Sequence, residues 1–387
     1  GLPAAVPVYD LLEMGAGGGS IARINELGLF QVGPDSAGSD PGPASYGNNG
    51  LLPTVTDADL LLGYLNPDYF LGGQMKLDKV AAGNAITSYL SEKSGLTATE
   101  AAAGVHELVN ENMASAARVY VAEKGRAPSQ LTLVAFGGAG PVHAVGLARK
   151  LGCPTVIIPP FSGVMSSLGL LAAPVAFERS KTVREILNTT NFMEIEASFK
   201  KLEAEASSLM PGKSDIIIRR SVDLRFSGQD YPLEIIVGSE CIESDFTADW
   251  EKLFIDEYNA LYGKVNDENP IELASVRVHV SQPPPRLKIE RPTALRKALP
   301  KDTRKIYVSA KRGMDNVSVF ERSKLKVGQK INGPCIIEEK ESTTVIGPED
   351  QLTVNDLGCL IIDLAYTDTV LTSENDISPL IVTSEGN

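Results

Sequence analysis

The chain has 387 residues, 43% of them hydrophobic and 22% charged, enough for two or three buried cores and too apolar for a disordered polypeptide. Its 49 acidic and 36 basic side chains leave a net charge of −13, which excludes nucleic acid and acidic membranes as partners, because those surfaces demand clustered Lys and Arg. No apolar run approaches the ~18 residues of a bilayer span, and the four scattered cysteines form no CxxC pair, so reduced thiols in a cytoplasmic protein are expected.

In chain order, two glycine-rich segments come first, Gly15–Ser20 and Val32–Pro43, with Ile21–Phe30 between them reading as a hairpin around a turn. Thr54–Asp59 places hydroxyls and two carboxylates beside them. Asp78 is expected to cap a helix running to about Leu90, and Thr97 with Glu100 has capping-box spacing at the start of a long helix to Lys124, stopped by Gly125. Leu131–Phe136 is a short apolar run of the buried-strand type, followed by the turn Gly137-Gly138-Ala139-Gly140 and a helix opened by Pro141 and stopped at Gly152. A second apolar strand, Thr155–Ile158, completes a βαβ unit and predicts an α/β core.

Beyond about residue 185 the texture changes. A helix is expected near 192–210, strands near 215–224 and 231–237, a helix near 243–262 and a strand near 272–281, before the stiff Pro283-Pro284-Pro285. Short alternating strands from about 300 suggest a small β-rich module, and the residues from Tyr366 read as a polar tail. These boundaries divide the chain into 1–185, 186–285, 286–365 and 366–387.

Several segments carry chemistry. Gly137, Gly138 and Gly140 sit where a strand meets a helix N-terminus, a place that favours phosphate through free N–H groups and the helix dipole. The dinucleotide GxGxxG pattern fails there because His143 occupies the third glycine position, which argues against a nicotinamide or flavin enzyme. Gly17, Gly18 and Gly19 offer a second row of unhindered amides. Ser20 in Gly18-Gly19-Ser20-Ile21-Ala22 imitates a serine-hydrolase elbow, but that elbow needs a helix after the serine. Thr56 and Asp57 present oxygen ligands suited to Mg²⁺, and a simple helix cap explains the same residues equally well. No His/Cys/Asp group has zinc spacing, and His106 and His279 read as packed or exposed side chains.

Taken together and in this order, these motifs resemble the hydantoinase A/5-oxoprolinase family. The matching stretches are Met14–Ala22, Val32–Gly47, Pro53–Asp59, Ala135–Ala144 and Gly163–Leu170, with Asp223–Gln229 and Gly333–Glu339 further on, so the resemblance spans roughly residues 5–363. It implies the second part of an actin-like, hexokinase-type ATPase fold over 1–185, followed by an α+β segment and the β-rich C-terminal module. It also implies ATP with Mg²⁺ or another divalent metal, and phosphoryl transfer to a carbonyl oxygen before a cyclic amide such as a hydantoin or 5-oxoproline is opened. Relatives of the same family are ATP-using subunits of acetone and acetophenone carboxylases, which gives the alternative activity; a non-catalytic scaffold subunit is the third reading. By resemblance, Gly137, Gly138 and Gly140 lie near the nucleoside, Gly17, Gly18, Gly19 and Ser20 near the phosphates or the activated carbonyl, and Asp57 with Thr56 organises metal or water.

The departures matter as well. Ser45 stands where the family usually has Cys, Ile255 where it often has His, and Tyr258-Asn259 where it often has His-Glu. The two DxGGT phosphate-binding motifs that precede the Gly15 cluster in the family are absent from the 387 residues. The chain is therefore expected to open mid-fold, as a C-terminal half or a separate subunit, and Gly1 in place of methionine fits that expectation. It is expected to work with a lobe or subunit carrying DxGGT, alongside a hydantoinase-B-like subunit.

Overall fold

A computed structural model describes residues 11–212, 215–238, 247–263, 269–287 and 292–365; the expected tail, 366–387, lies outside them. The chain divides into two units, one formed by Gly1–Ser166 with Ile289–Asn387 and the other by Ser167–Lys288. Among the described residues no helix is long and apolar enough to cross a membrane.

The first unit starts with the expected hairpin, β1 (Ser20–Ile24) against β2 (Phe30–Ser36), paired Ala22 to Val32 and Ile24 to Phe30. α1 (Val55–Leu61) follows, then α2 (Lys79–Ile86) and the short α3 (Glu92–Ser94). The Asp78 carboxylate accepts from the amides of Val80 and Ala81, as an N-cap should. α4 (Ala98–Glu123) opens on the predicted capping box: Thr97 Oγ1 accepts from the Glu100 amide, and the Glu100 carboxylate accepts from the Thr97 amide and hydroxyl. β3 (Thr132–Val134), α5 (Gly140–Leu151) and β4 (Thr155–Ile158) form the βαβ unit, β3 parallel to β4, and Gly152 ends α5 in the left-handed region. α6 (Met165–Ala172) comes next in the chain.

The second unit holds an antiparallel sheet in the order β5-β8-β6-β7, made of β5 (Ala176–Ile186), β6 (Ile217–Phe226), β7 (Leu233–Val237) and β8 (Ile271–Ser281). α7 (Phe192–Ser208) and α8 (Thr247–Tyr262) supply Phe199, Leu202, Trp250 and Phe254 to its core, against Val222, Leu224, Val276 and Val278. The expected α+β segment is therefore present, with β5 added at its start.

The chain then returns to the first unit. β9 (Asp302–Ser309), β10 (Gly313–Glu321), β12 (Cys335–Glu338) and β13 (Thr343–Ile346) make a four-stranded sheet whose Ile306, Val317, Val319 and Ile336 pack with Val55, Leu60, Ile86, Val105 and Val109. β11 (Lys330–Asn332), β14 (Gln351–Val354) and β15 (Leu360–Asp363) extend the βαβ sheet in the order β11-β14-β15-β4-β3. Leu360 pairs antiparallel with Ile158, and Asp363 with Thr155. The region 286–365 is thus β-rich as expected, yet it is no separate domain. β15 takes β4 as a hydrogen-bonding partner, and Leu352, Val354, Leu360 and Ile362 share one core with Ala144, Val145 and Ala148 of α5.

One buried charge holds the four-stranded sheet. Glu338 on β12, 1% exposed, pairs with Arg304 on β9 and, at 2.7 Å, with Lys301. Burial pushes its carboxyl up, but Lys301 and Arg304 outweigh that and hold it below the usual carboxylate range. Glu338→Ala should cost about 3 kcal/mol by taking the carboxylate partner from Arg304, while Lys301 keeps Glu321 at 2.8 Å, read from urea melts at pH 7. Because the folded value is the lower one, the Glu338 contribution is present above about pH 4 and is lost as the pH falls further, so the wild-type and variant melts should converge in acid.

Candidate functional site

The site is built from three turns and the helices they open. Asp57, 0% exposed, carries most of the local geometry. Its Oδ2 accepts from the amides of Ala44 (3.2 Å) and Thr54 (2.9 Å) and from the Thr54 hydroxyl (2.8 Å), and its Oδ1 accepts from the Ser45 amide (2.8 Å). Thr54 Oγ1 in turn accepts from the Asp57 amide, closing a capping box at the start of α1. A carboxylate with four donors in a dry setting is a structural cap. The expectation of Asp57 as a metal ligand therefore gives way to the helix-cap reading of the same segment.

The cap fixes the neighbouring residues. Thr56 sends both its amide (2.8 Å) and its hydroxyl (2.9 Å) to the carbonyl of Gly18. Ser20 lies at the head of β1, buried, where its Oγ accepts from the Gly17 amide at 3.0 Å and faces the Gly15 carbonyl at 3.4 Å. A strand follows Ser20 and not a helix, so the nucleophile-elbow geometry is absent. Ser20 and Thr56 serve to shape the loop, which leaves the amides of Gly18 and Gly19 without a hydrogen-bond partner among the described residues.

The glycines differ in kind. A Cβ on Gly18 would lie 2.6 Å from Thr56 Oγ1 and one on Gly19 2.8 Å from Ser36 Oγ, so both are glycine for packing. Gly137 takes φ 95°, and its amide donates to the Ser162 carbonyl at 2.7 Å. Around Gly17 and Gly140 a Cβ meets no protein atom within 4 Å, and at Gly138 only the Glu341 carbonyl at 3.8 Å. Space, and neither strain nor packing, explains glycine at these three positions.

The space at Gly17 and Gly140 belongs to one cavity of about 330 Å³, whose rim carries Gly17 from the first loop and Ala139 and Gly140 from the turn before α5. Its wall is apolar, with Val109 and Met113 of α4, Leu133 and Val134 of β3, and Leu147 of α5. The amides of Gly138, Ala139 and Gly140 at the head of α5 have no hydrogen-bond partner among the described residues, and Ala139 provides no side-chain cap. Two segments more than a hundred residues apart in sequence thus bring bare backbone to a common chamber, and Ala139 and Gly140 add unpartnered amides at its edge. Gly138 borders a separate, smaller crevice beside Tyr69, Phe70 and Glu339.

His143 lies on the wall of the same cavity, and behind it stands a buried cluster that sequence reading missed. Asp59 of α1, His106 of α4 and His143 of α5 are 2%, 8% and 4% exposed. His106 Nδ1 is 2.7 Å from Asp59 Oδ1, His143 Nε2 is 3.3 Å from Asp59 Oδ2, and the two rings stack with centroids 4.6 Å apart. Burial pushes the Asp59 carboxyl up, but the two histidines outweigh it and hold it at about 2, so Asp59 is ionised. The Tyr64 ring meets His106 edge-on, and burial together with the Asp59 charge keeps its phenol protonated well above the usual range. The ligand atoms come from positions 59, 106 and 143, a spacing no zinc pattern describes. The available signal was that His106 adjoins the buried face of α4 and His143 opens α5.

With this geometry in view, the chain matches two consecutive family models, Hydantoinase/oxoprolinase over residues 1–179 and the Hydantoinase/oxoprolinase C-terminal domain over residues 188–362. It belongs to the hydantoinase/oxoprolinase family. It is 37% identical to an uncharacterized protein of Methanocaldococcus jannaschii, covering 94% of this chain and 52% of that one. It is 31% identical to the caprolactamase subunit alpha of Pseudomonas jessenii (89% and 51%) and 30% identical to the acetone carboxylase beta subunit of Xanthobacter autotrophicus (89% and 51%). The crystal structure of the ATP-dependent caprolactamase from Pseudomonas jessenii superimposes with a TM-score of 0.76 at 29% identity, over 91% of this chain and 52% of that one. The α/β fold implied by the resemblance is that of these neighbours. The chain spans about half the length of these relatives.

The two kinds of glycine are separable by stability. Gly18→Ala should destabilise the first unit by about 1–3 kcal/mol through overpacking against Thr56, whereas Gly17→Ala and Gly140→Ala should stay within about 0.5 kcal/mol of wild type in denaturant melts.

Proposed function

We propose that this chain is the C-terminal half, or a separate subunit, of an ATP-dependent cyclic-amide hydrolase of the hydantoinase/oxoprolinase type. The observation that carries the reading is the cavity bordered by Gly17 and Gly140, where each glycine meets open space in place of a side chain and the unpartnered amides of Ala139 and Gly140 stand at the head of α5. Backbone donors at a helix N-terminus and in a glycine loop are suited to a phosphate chain, and the apolar wall of Val109, Met113, Leu133 and Leu147 is suited to a purine face. ATP supplies a phosphoryl group that converts the amide oxygen into a better leaving group, after which water opens the ring. The part played by these residues is binding and charge stabilisation: the amides of Gly18, Gly19 and Gly138–Gly140 hold negative charge, and bare backbone at Gly17 and Gly140 lets the ligand come close.

Asp57 is buried, gives its carboxylate to four donors and does not line the cavity, so it is not the Mg²⁺ ligand of this reading. The Mg²⁺ ligands are assigned to the polypeptide that carries the DxGGT motifs, which we place with this chain and a hydantoinase-B-like subunit in the working enzyme. The subunit names of the caprolactamase and carboxylase relatives support a multi-subunit assembly. The carboxylase relative, matched over as much of the chain as caprolactamase, favours a second reading as the ATP-using subunit of a ketone carboxylase.

The test is ADP release by the assembled complex with hydantoins, lactams and 5-oxoproline, and with ketones in the presence of labelled bicarbonate. Ring-opened product with ATP turnover is expected. Label fixed into an acid-stable product from a ketone would establish the carboxylase instead, and no stimulation by any substrate would overturn both. Gly140→Val should weaken binding of an ATP analogue by at least about tenfold, with a melting temperature near wild type, as isothermal titration and thermal melts would show.

A further inference from the structure

We propose that Asp59, His106 and His143 form a binding site for one divalent transition metal, zinc or a close analogue, on the inner side of the cavity wall. Three independently placed elements deliver the donors: Asp59 from α1, His106 from α4 and His143 from α5. The three candidate ligand atoms all lie within 4.8 Å of one another. Two imidazoles and one carboxylate are a borderline-soft set that suits Zn²⁺ better than Mg²⁺, which prefers oxygen and water. Three protein ligands also leave a coordination position open, the pattern of catalytic rather than structural zinc.

The second observation is the state of His143. Its Nδ1 is 2.9 Å from Asn110 Oδ1. Its Nε2 is fully buried, has no hydrogen-bond partner, and sits 3.3 Å from an Asp59 carboxylate oxygen. A buried ring nitrogen left without a hydrogen-bond partner beside a carboxylate costs free energy, and a cation bound between the two would satisfy both. Asn110 stands one helical turn from His106 on the same face of α4, so one helix supplies both a ligand and the group that orients the other histidine. An outer partner that fixes the tautomer of a ligating histidine is a recurrent feature of metal sites. Because His143 also lines the 330 Å³ cavity, a metal held here would border the chamber. A metal in that place can polarise a carbonyl or acidify a bound water.

Metal uptake is read without turnover, so this site stands or falls separately from the nucleotide reading. The assembled complex, prepared without a metal-affinity tag and stripped with a chelator, is titrated with Zn²⁺ alone and counted by elemental mass spectrometry after desalting. Wild type should retain one more equivalent per chain than His143→Gln or Asp59→Asn. Co²⁺ should give wild type visible d–d bands of four- or five-coordinate intensity that His143→Gln lacks. Asn110→Ala should bind Zn²⁺ about 10–100-fold more weakly. Equal zinc content and affinity in wild type and His143→Gln would overturn the site and leave a hydrogen-bonded cluster. If both ligand variants fail to fold, a wild type without these Co²⁺ bands, or an Asn110→Ala affinity equal to wild type, would overturn it as well.

Discussion

The Asp57 carboxylate accepts hydrogen bonds from the amides of Ala44, Ser45 and Thr54 and from the Thr54 hydroxyl, sealed from water. That single group joins the end of the second glycine-rich segment to the first turn of α1. With α1 held, Thr56 reaches the Gly18 carbonyl and Asp59 reaches His106. Loss of one partner there would leave a buried charge short of donors, which costs more than a hydrogen bond at the surface. The loop, the helix and the buried cluster therefore depend on one another, although none of the Asp57 partners touches the cavity.

The cavity itself is a matter of what is missing from side chains. Glycines at 18, 19 and 137 are required by packing or by a positive φ, and they set the shape of the two turns. Glycines at 17 and 140 have open space where a Cβ would be, and a fold gains nothing from bare backbone exposed to solvent. At Gly140 the unpartnered amides at the head of α5 supply the complementary reason, since a helix N-terminus is an incomplete structure until an anion or water satisfies it.

Local signals were read well from the sequence. The capping box of Thr97 and Glu100, the Asp78 cap, the hairpin after Ser20 and the βαβ unit from Thr132 to Ile158 all follow from residues a few positions apart. The Asp57 segment was legible as a cap, and its carboxylate was nonetheless matched to metal because oxygen ligands and a helix cap use the same residues. Long-range pairing was not legible. Nothing local in Leu360–Asp363 says that its hydrogen bonds go to Thr155–Ile158, so the C-terminal strands passed for a module of their own. Asp59, His106 and His143 escaped for the same reason, since each lies among apolar neighbours on a different helix and only packing brings them within reach.

The central claim is that the two glycine turns form one nucleotide site. Amide hydrogen exchange on the assembled complex, with and without a non-hydrolysable ATP analogue, tests it most directly. Slowed exchange is predicted in the peptides covering residues 15–22 and 137–143 together, as their unpartnered amides gain a ligand. Analogue binding that leaves both peptides unchanged, or protects only peptides within residues 167–288, would contradict it.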